Sequence, residues 1–387
     1  MKMRFSLVIA ILLLITISGW GQSELDLGLQ IDLVFHNPDI KDYTNLTFRG
    51  FSNFHTLRAR IIATGAVNDY LSFQGQLLSD NADNPIWFSA YAHLSKPDFP
   101  YLNANLGLIP IPLGLFGHRT YADKNPLIGV PLIYNYHTNI NVYYPTTSNS
   151  QLLSQRGQGY DLGSYYGNTT RGIPIIYDAC WNTGINLFGS FKFLDYSVAA
   201  LSGALAYPKV QIEDRNPNLT AQMVVNPVMG VRAGLFGSWG PYFSKSAEQY
   251  FPAGKTVDDF NQVLGGALAE ISYWHLESYH ELVLNAFEHP YLGYLKNNGF
   301  YSEVKYKFLP SWYGAVRYDQ MNFNKVEDET NPGSRHTWDY NVKRVEAAIG
   351  YYLDRKVLLK LDAQINRFPD QKSLNDEIYA LQMTFTL

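Results

Sequence analysis

Apolar and polar residues alternate in segments of roughly ten residues along much of this chain. The first segment, LDLGLQIDLVF, has leucine or isoleucine at odd positions 25–33 and Asp, Gly or Gln at even positions 26–32. The alternation recurs in LRARIIAT (57–64), YLSFQGQLL (70–78), VKRVEAAIGYY (342–352) and VLLKLDAQIN (357–366). Because successive side chains of a β-strand point to opposite faces, each segment predicts a strand with one apolar and one polar face. The pattern indicates an all-β fold.

The longest apolar run lies at the start of the chain. It spans 13 residues, 5–17, follows Lys2 and Arg4, and precedes small residues up to Gly21. A membrane-spanning helix needs roughly 20 apolar residues, and this arrangement is typical of a secretory signal peptide. We therefore expect residues 1–21 to be removed before Gln22 during export to the periplasm, leaving 22–387 as one domain. The single cysteine, Cys180, cannot form an internal disulfide.

The connectors between the alternating segments fall into two classes. Short ones lie at 66–69, 96–100, 226–230, 310–311 and 354–356. Longer, polar ones lie at 37–53, 80–85, 208–217, 240–259, 288–298, 325–338 and 369–375. In lipid, every backbone N–H and C=O group needs a partner within the protein, so only helices and closed barrels cross a membrane. Tight periplasmic turns alternating with long external loops are typical of a transmembrane β-barrel, and we expect a single antiparallel barrel of about 16 strands.

The longest connector runs from Pro110 to about Pro174 and is too long for an ordinary loop. Pro110 and Pro112 would interrupt a strand ladder, and an aromatic, Asn-rich tract follows from Tyr134 to Thr147. We expect this segment to fold into the barrel, where it would constrict or plug the lumen. A mobile outward loop is the alternative.

Several segments resemble outer-membrane proteins of Gram-negative bacteria. The end of the chain, LQMTFTL, is similar to the C-terminal strand of such proteins, with Leu387 where the usual final residue is Phe and with Phe385 two places earlier. LGLIPIPLG, SWGPYF and the region 338–366 look like segments of porins, including the phosphate-selective porin-like group. This resemblance implies a 16-stranded, often trimeric channel in the outer-membrane lipid, constricted by an inward loop. It also implies that the barrel-assembly machinery reads the C-terminal strand.

Charged residues occupy many of the predicted inward positions. The candidate pore-lining residues are Asp32, Arg58, Arg60, Arg232, Glu270, Glu303, Lys305, Lys307, Arg317, Asp319, Arg344, Glu346, Lys360 and Asp362. Because their signs nearly balance, many should pair across neighbouring strands as a structural lining. A sharper hypothesis joins Arg58 and Arg60 to Arg119, Arg156 or Arg171 of the long segment, as an anion-preferring constriction. The dense basic ladder expected of a phosphate-selective channel is missing from the sequence.

Other functional classes find little support in the sequence. The net charge of -4 argues against nucleic-acid binding, which needs a concentrated basic surface. The segment HLESYHE (275–281) does not match the His-Glu-x-x-His helix of zinc proteases, and strand alternation would turn His280 away from Glu281. We therefore expect no catalytic residue, no metal and no cofactor.

Two functions from different classes remain open. The first is a porin, a water-filled channel for passive diffusion of small hydrophilic solutes or ions, since about 16 strands enclose an aqueous lumen. The alternative is a non-conducting barrel that acts as a surface adhesin or scaffold, with its lumen plugged by the long segment. A barrel enzyme and a soluble β-sandwich fit the pattern less well.

Overall fold

The computed structural model describes residues 25–37, 44–47, 52–54, 56–162, 171–208 and 214–387. The predicted signal peptide lies outside the described residues. The strands are β1 Leu25–His36, β2 Leu57–Asn68, β3 Leu71–Asp80, β4 Ile86–Leu94, β5 Asn103–Pro110, β6 Trp181–Phe191, β7 Leu194–Leu201, β8 Asn218–Val228, β9 Val231–Pro241, β10 Asn261–Tyr273, β11 Leu276–His289, β12 Gly293–Leu309, β13 Trp312–Phe323, β14 Lys325–Glu327, β15 Arg335–Thr337, β16 Val342–Asp354, β17 Val357–Arg367 and β18 Asp376–Thr386.

Sixteen of these strands form one closed antiparallel barrel, which confirms the predicted fold class. The barrel follows the chain from β1 to β13, continues through β16, β17 and β18, and closes where β18 pairs with β1. Strands β14 and β15 form a separate two-stranded ribbon. At the closure, Leu29 and Leu387 exchange backbone hydrogen bonds of 3.0 and 2.8 Å. Each barrel strand therefore has a partner on both sides.

The two faces of the barrel differ as the alternation predicts. On the outside, the side chains of Leu27, Ile61 and Leu361 are 60%, 50% and 62% exposed. Their polar neighbours on the same strands point inward, and Arg60 and Lys360 are almost completely buried. An apolar outer wall suits lipid, and a polar inner wall suits a hydrated or filled lumen.

Tight turns lie at one end of the barrel, between β2 and β3, β8 and β9, β10 and β11, β12 and β13, and β16 and β17. We call this end the short-turn end. The predicted loop at 288–298 is wrong: β11 continues to His289, and β12 begins at Gly293. Asn285 Nδ2 donates to Asn297 Oδ1 at 2.8 Å on the inner face, so an Asn-rich stretch extends the hairpin.

The helices are short. Two α-helices span Leu132–Asn135 and Asn149–Ser154, and 3-10 turns span Gly117–Arg119, Gly159–Asp161, Lys245–Tyr250, Val257–Asp259 and Lys372–Leu374. Within the described part of the chain, none of the helices has the length and apolar character needed to cross a membrane.

The segment between β5 and β6 fills the inside of the barrel, as expected for the long connector. We call its described residues, 111–162 and 171–180, the plug. Pro110 pairs with Trp181, so the plug leaves and re-enters the wall between adjacent strands. Phe116, Leu132 and Tyr134 of the plug are fully buried. The plug thus shares an apolar core with inward-facing wall residues such as Phe236 and Phe287.

The plug ends later than the predicted boundary at Pro174. Ile175 and Ile176 are fully buried in the same apolar core as Phe116, and Cys180 immediately precedes β6. The apolar residues at 175–176, which follow the predicted boundary, therefore belong to the plug and not to a strand.

Candidate functional site in the barrel lumen

Carboxylates of the inner wall accept hydrogen bonds from the backbone of the plug. Such bonds join Glu346 to the N–H of Gly129 (2.6 Å), Asp362 to Ile128 (3.1 Å), Asp319 to Leu132 (3.3 Å) and Glu281 to Leu115 (2.6 Å). All of these carboxylates are buried. Because an unpaired buried carboxylate is costly, each bond stabilises the wall and fixes the plug at the same time.

Cationic side chains of the wall make the complementary contacts to plug carbonyls. Lys360 Nζ donates to the carbonyls of Ala122 (2.6 Å), Asn125 (2.7 Å) and Leu127 (3.2 Å), Arg344 donates to Val130 (2.8 Å), and Arg60 donates to Thr120 (3.1 Å). Wall charges of both signs therefore hold the irregular backbone of the plug, whose peptide groups would otherwise lack partners.

The contacts come from widely separated parts of the wall. Amide side chains continue the pattern on other strands, with Gln30 bonded to Asp123 (2.7 Å), Gln76 to Tyr121 (2.6 Å), Gln222 to Gly114 (2.7 Å) and Gln262 to Ile175 (2.8 Å). Together with the charged residues, strands from β1 to β17 contribute to this ring of contacts. The plug is therefore anchored on opposite walls and not along one side.

A buried ion network lies at the centre of one wall. Arg317 donates to Glu303 at 3.2 Å, to Asp319 at 3.0 Å and to Glu346, and Arg119 of the plug donates to Glu303 from the other side. Glu303, Arg317, Asp319 and Glu346 are completely buried. Buried charges persist only when they are paired and hydrogen bonded. Arg119 thus completes a network that the wall begins.

The inner wall near the short-turn end is open and still charged. Arg232 pairs with Glu270 at 3.0 Å, and Lys305 pairs with Glu277 at 3.0 Å. The side chains of Arg232 and Glu277 are 43% and 39% exposed, in contrast to the buried network above. Lys307 follows on the same face of β12 and is exposed. We call this region the vestibule; the plug does not cover it.

The three arginines predicted to constrict the lumen lie apart. Arg119 belongs to the ion network, whereas Arg156 lies 4.8 Å above the ring of Tyr340 in the connection before β16. Arg171 lies near His137. Burial lowers the pKa of His137 to about 4, and the positive charge of Arg171 also lowers it. The structure does not bring these arginines together with the basic pair on β2.

The basic pair on β2 borders a cavity of about 60 Å³ between the plug and strands β1 to β4. Arg58 Nε lies 2.6 Å from Asp80 Oδ1. Arg60 lies between the rings of Phe88 and Tyr121, 4.8 and 4.7 Å from their centroids. Asp32 also lines this cavity. Among the described residues, the buried atoms Nε and Nη1 of Arg60 have no hydrogen-bond partner.

Sequence reasoning missed the partners that complete these groups. Asp80 was not singled out, although antiparallel pairing across the tight β2–β3 turn places it directly opposite Arg58. The turn at 69–70 fixes this register and would have revealed the pair. The plug partners Gly129 and Val130 contribute backbone groups, for which the sequence carries no signal.

The histidines of HLESYHE form no metal site. His280 points outward and contacts Ser278 and Ser302, while Glu281 points inward to the plug. No group of three or more His, Cys, Asp or Glu side chains suited to a metal ion occurs among the residues that the structure describes.

Neither a family model nor a curated protein matches the chain. Membership of the phosphate-selective group therefore stays a prediction.

Solved structures, in contrast, match over nearly the whole chain. OmpF of Salmonella typhi, in complex with daunomycin, has a TM-score of 0.58 and 14% identity, covering 94% of this chain and 97% of that one. OmpT of Vibrio cholerae in its trimer form has a TM-score of 0.55 and 11% identity, covering 94% and 99%. An anion-selective porin from Comamonas acidovorans has a TM-score of 0.53 and 10% identity, covering 95% and 100%. The chain therefore has the fold of the outer-membrane porins.

Proposed function

We propose that the protein is an outer-membrane channel that conducts small hydrophilic solutes or ions past a resident plug. The observation that carries this proposal is the closed 16-stranded barrel with an apolar outer wall and a charged inner wall. A barrel of this size encloses an aqueous lumen unless it is filled. The open, charged vestibule, with Arg232 and Glu277 exposed, supports a water-filled entrance at the periplasmic end.

The plug restricts passage to small solutes. The cavity beside β1 to β4 is lined by Arg58 and Arg60, and two buried nitrogen atoms of Arg60 have no hydrogen-bond partner among the described residues. Asp32 and Asp80 reduce the net positive charge there, and Arg58 remains bound to Asp80. We assign a weak anion preference to this passage, consistent with a constriction at which charged side chains select the ion.

The surroundings of the channel follow from the same proposal. The signal peptide at 1–21 directs export through the periplasm, the C-terminal strand engages the barrel-assembly machinery, and the outer wall contacts outer-membrane lipid. A homotrimer is supported by the likeness to OmpT of Vibrio cholerae, which was solved in a trimer form.

A second function is favoured by one specific observation. Wall residues on strands from β1 to β17 bind the plug, including Gln30, Arg60, Gln262, Glu346 and Lys360. A plug held at many points of the wall suits a non-conducting barrel that displays its long loops as an adhesin or scaffold.

Excision of the plug separates the two functions. Because Pro110 and Trp181 are paired neighbours, a two-residue Asn-Gly turn can replace residues 111–180 and close β5 and β6 as a hairpin. Single-channel conductance of the intact and the excised protein is measured in planar bilayers across a salt gradient. Heat-modifiable migration on gels verifies that each barrel is folded.

The channel proposal expects small, stable conductance steps from the intact protein and steps several-fold larger from the excised one. A silent intact protein with a conducting excised barrel would favour the scaffold function. Silence from both folded proteins would refute a channel altogether.

A further inference from the structure

The outer wall of β11 to β13 carries polar side chains that continue from one end of the strands to mid-strand, where the outer faces of the other described barrel strands are apolar. We call them the outer polar patch: Ser278 and His280 of β11, Asn298 and Ser302 of β12, and Tyr318, Gln320 and Asn322 of β13. On the other barrel strands described, outward polar side chains lie near strand ends, as Arg367 and Glu377 do.

Strand alternation fixes the direction of these side chains. In β11, Glu281 and Val283 are buried inside the barrel, whereas Leu282 and Leu284 are 46% and 60% exposed outside. His280 is two residues from Leu282 and therefore shares its outward face. The register pairs His280 with Ser302 and Ser302 with Tyr318, so the patch is continuous across three strands.

The centre of the patch, at His280 and Ser302, lies at the depth of the hydrocarbon. On β12, Ser302 is four residues from the exposed Tyr306 and eight from the exposed Tyr294, which mark the two ends of the outward apolar surface. At about 3.3 Å per residue and a tilt of about 40°, Ser302 lies roughly 10 Å from the first and 20 Å from the second. Lipid headgroups do not reach this depth, and lipid tails offer no hydrogen bonds.

The patch satisfies only part of its own hydrogen-bonding capacity. His280 bonds Ser302 at 2.9 Å, Gln320 Nε2 donates to Asn322 Oδ1 at 2.7 Å, and Asn322 Nδ2 donates to Asn298 Oδ1 at 3.0 Å. Each amide nitrogen carries two protons, and these bonds use one of them. Tyr318 donates to Gln320 Oε1 at 2.9 Å, and each amide oxygen of the patch accepts one bond although it has two lone pairs, so donors and acceptors both keep unused capacity.

We infer that the outer polar patch is the contact surface between copies of this chain in the membrane. A partner must offer polar groups at the same depth in the membrane. Within the described barrel, the part of the outer wall that offers such groups is the patch itself. A rotation axis normal to the membrane and directly beside the patch brings the patches of all copies together at the axis. Because the patch has donors and acceptors, it is complementary to its own copy, and such bonds stabilise association within lipid.

The adjoining wall allows a close approach. Ala267 and Ala269 of β10 lie beside the patch on the outer face, and a Cβ built on Gly265 meets nothing within 4 Å. This smooth surface lets a second wall come near without displacing large side chains. The inference rests on the proposed function only in that it needs the barrel to lie in a membrane; conduction is not required.

Cysteine cross-linking in membranes tests the contact. The background is Cys180→Ser in the full chain, since the native cysteine is buried in the plug. Ser302→Cys, within the patch, and Val316→Cys, beside it on the outer face, are compared with Ala92→Cys. Ala92 faces outward on β4, eight strands away around the barrel. Membranes are oxidised or treated with a short bis-maleimide, and covalent dimers are counted on boiled, non-reducing gels.

We expect at least half of the Ser302→Cys or Val316→Cys protein to become covalent dimer. This dimeric fraction should be at least fivefold larger than that of Ala92→Cys. Dimers from Ala92→Cys alone, or from none of the three in folded, membrane-inserted protein, would overturn the inference and leave the channel proposal intact. If the protein without added cysteines is not inserted in membranes, the proposed function fails, and this inference fails with it.

Discussion

The backbone N–H of Gly129 donates to Oε1 of Glu346 at 2.6 Å, so a charged side chain of the barrel wall binds the plug at a glycine. A Cβ at this position would lie 2.5 Å from the amide of Gln364 and within 2.7 Å of both Glu346 oxygens. Any larger residue here would have to displace the ends of the Glu346 and Gln364 side chains, so glycine favours the docking of the plug.

Replacing Gly129 by alanine should loosen the plug. The new methyl group displaces the Glu346 carboxylate or pushes the plug backbone away, at a cost of about 1–3 kcal/mol for overpacking. Guanidinium-induced unfolding measures the loss, and planar-bilayer recordings should show larger or noisier conductance steps. Gly265→Ala is the matched control, because a Cβ there meets nothing within 4 Å. Identical behaviour of the two variants would contradict the proposed docking role.

Removing the Arg119 guanidinium should break the ion network between plug and wall. Arg119→Ala leaves Glu303 buried with only Arg317 as a partner, and loss of one member of a buried ion pair costs roughly 3–5 kcal/mol. The residual pairing with Arg317 places the expected loss at the lower end. The free energy of unfolding of Arg119→Ala, Glu303→Gln and the double variant gives the coupling between the two side chains.

The surface pair of Lys245 and Glu248 is the control for that cycle. Lys245→Ala removes an ion pair of 2.9 Å from a partly exposed 3-10 turn. Solvent screening makes its expected effect small. Additive effects of Arg119→Ala and Glu303→Gln would show that the buried contact does not hold the plug.

The barrel could be predicted from the sequence because its information is periodic. The alternation of apolar odd positions 25–33 with polar even positions 26–32 predicts both a strand and which of its faces points outward. The tight turns set the register of each hairpin. The one misassigned loop, at 288–298, failed because Asn285 and Asn297 are turn-forming residue types that here pair inside the barrel.

The contacts of the plug could not be predicted in the same way. Glu346 was recognised as an inward residue, but its partner is the backbone of Gly129, and every residue other than proline has such an N–H. Arg344 likewise binds the carbonyl of Val130. The three plug arginines were grouped by charge alone, whereas Arg156 is placed by an aromatic ring far from β2. The plug is an irregular segment, and its sequence has no periodic pattern from which the positions of these side chains could be predicted.

Asp339 should make the stability of the plug pH-dependent. This carboxylate accepts from the backbone N–H groups of Asn139 at 3.2 Å and Gly157 at 2.8 Å, and so ties the plug to the connection before β16. Burial raises the pKa of Asp339 to about 7, from its ordinary value of 3.8. Between these pH values the folded protein keeps a proton that the unfolded chain has lost. The contribution of Asp339 to the free energy of unfolding therefore decreases as the pH rises from about 4 to about 7.

Asp339→Asn should flatten that slope, which is measured as the guanidinium midpoint at a series of pH values. Asp328→Asn is the comparison, because hydrogen bonds from Thr330 lower the pKa of Asp328 and place its titration below this window. An unchanged slope in Asp339→Asn would assign the pH dependence to other groups.

Neutralising the basic pair on β2 should shift ion selectivity towards cations. Arg58 and Arg60 border the lumen cavity, so Arg58→Gln with Arg60→Gln leaves Asp32 as an acidic group beside it. The reversal potential of single channels under a salt gradient measures the shift. Ile61→Arg is the matched change on the opposite face, where the side chain is 50% exposed. An arginine among lipid tails costs about 2–4 kcal/mol, so this variant should insert poorly while its inserted channels keep wild-type selectivity. If both changes altered selectivity equally, the assignment of inner and outer faces on β2 would be incorrect.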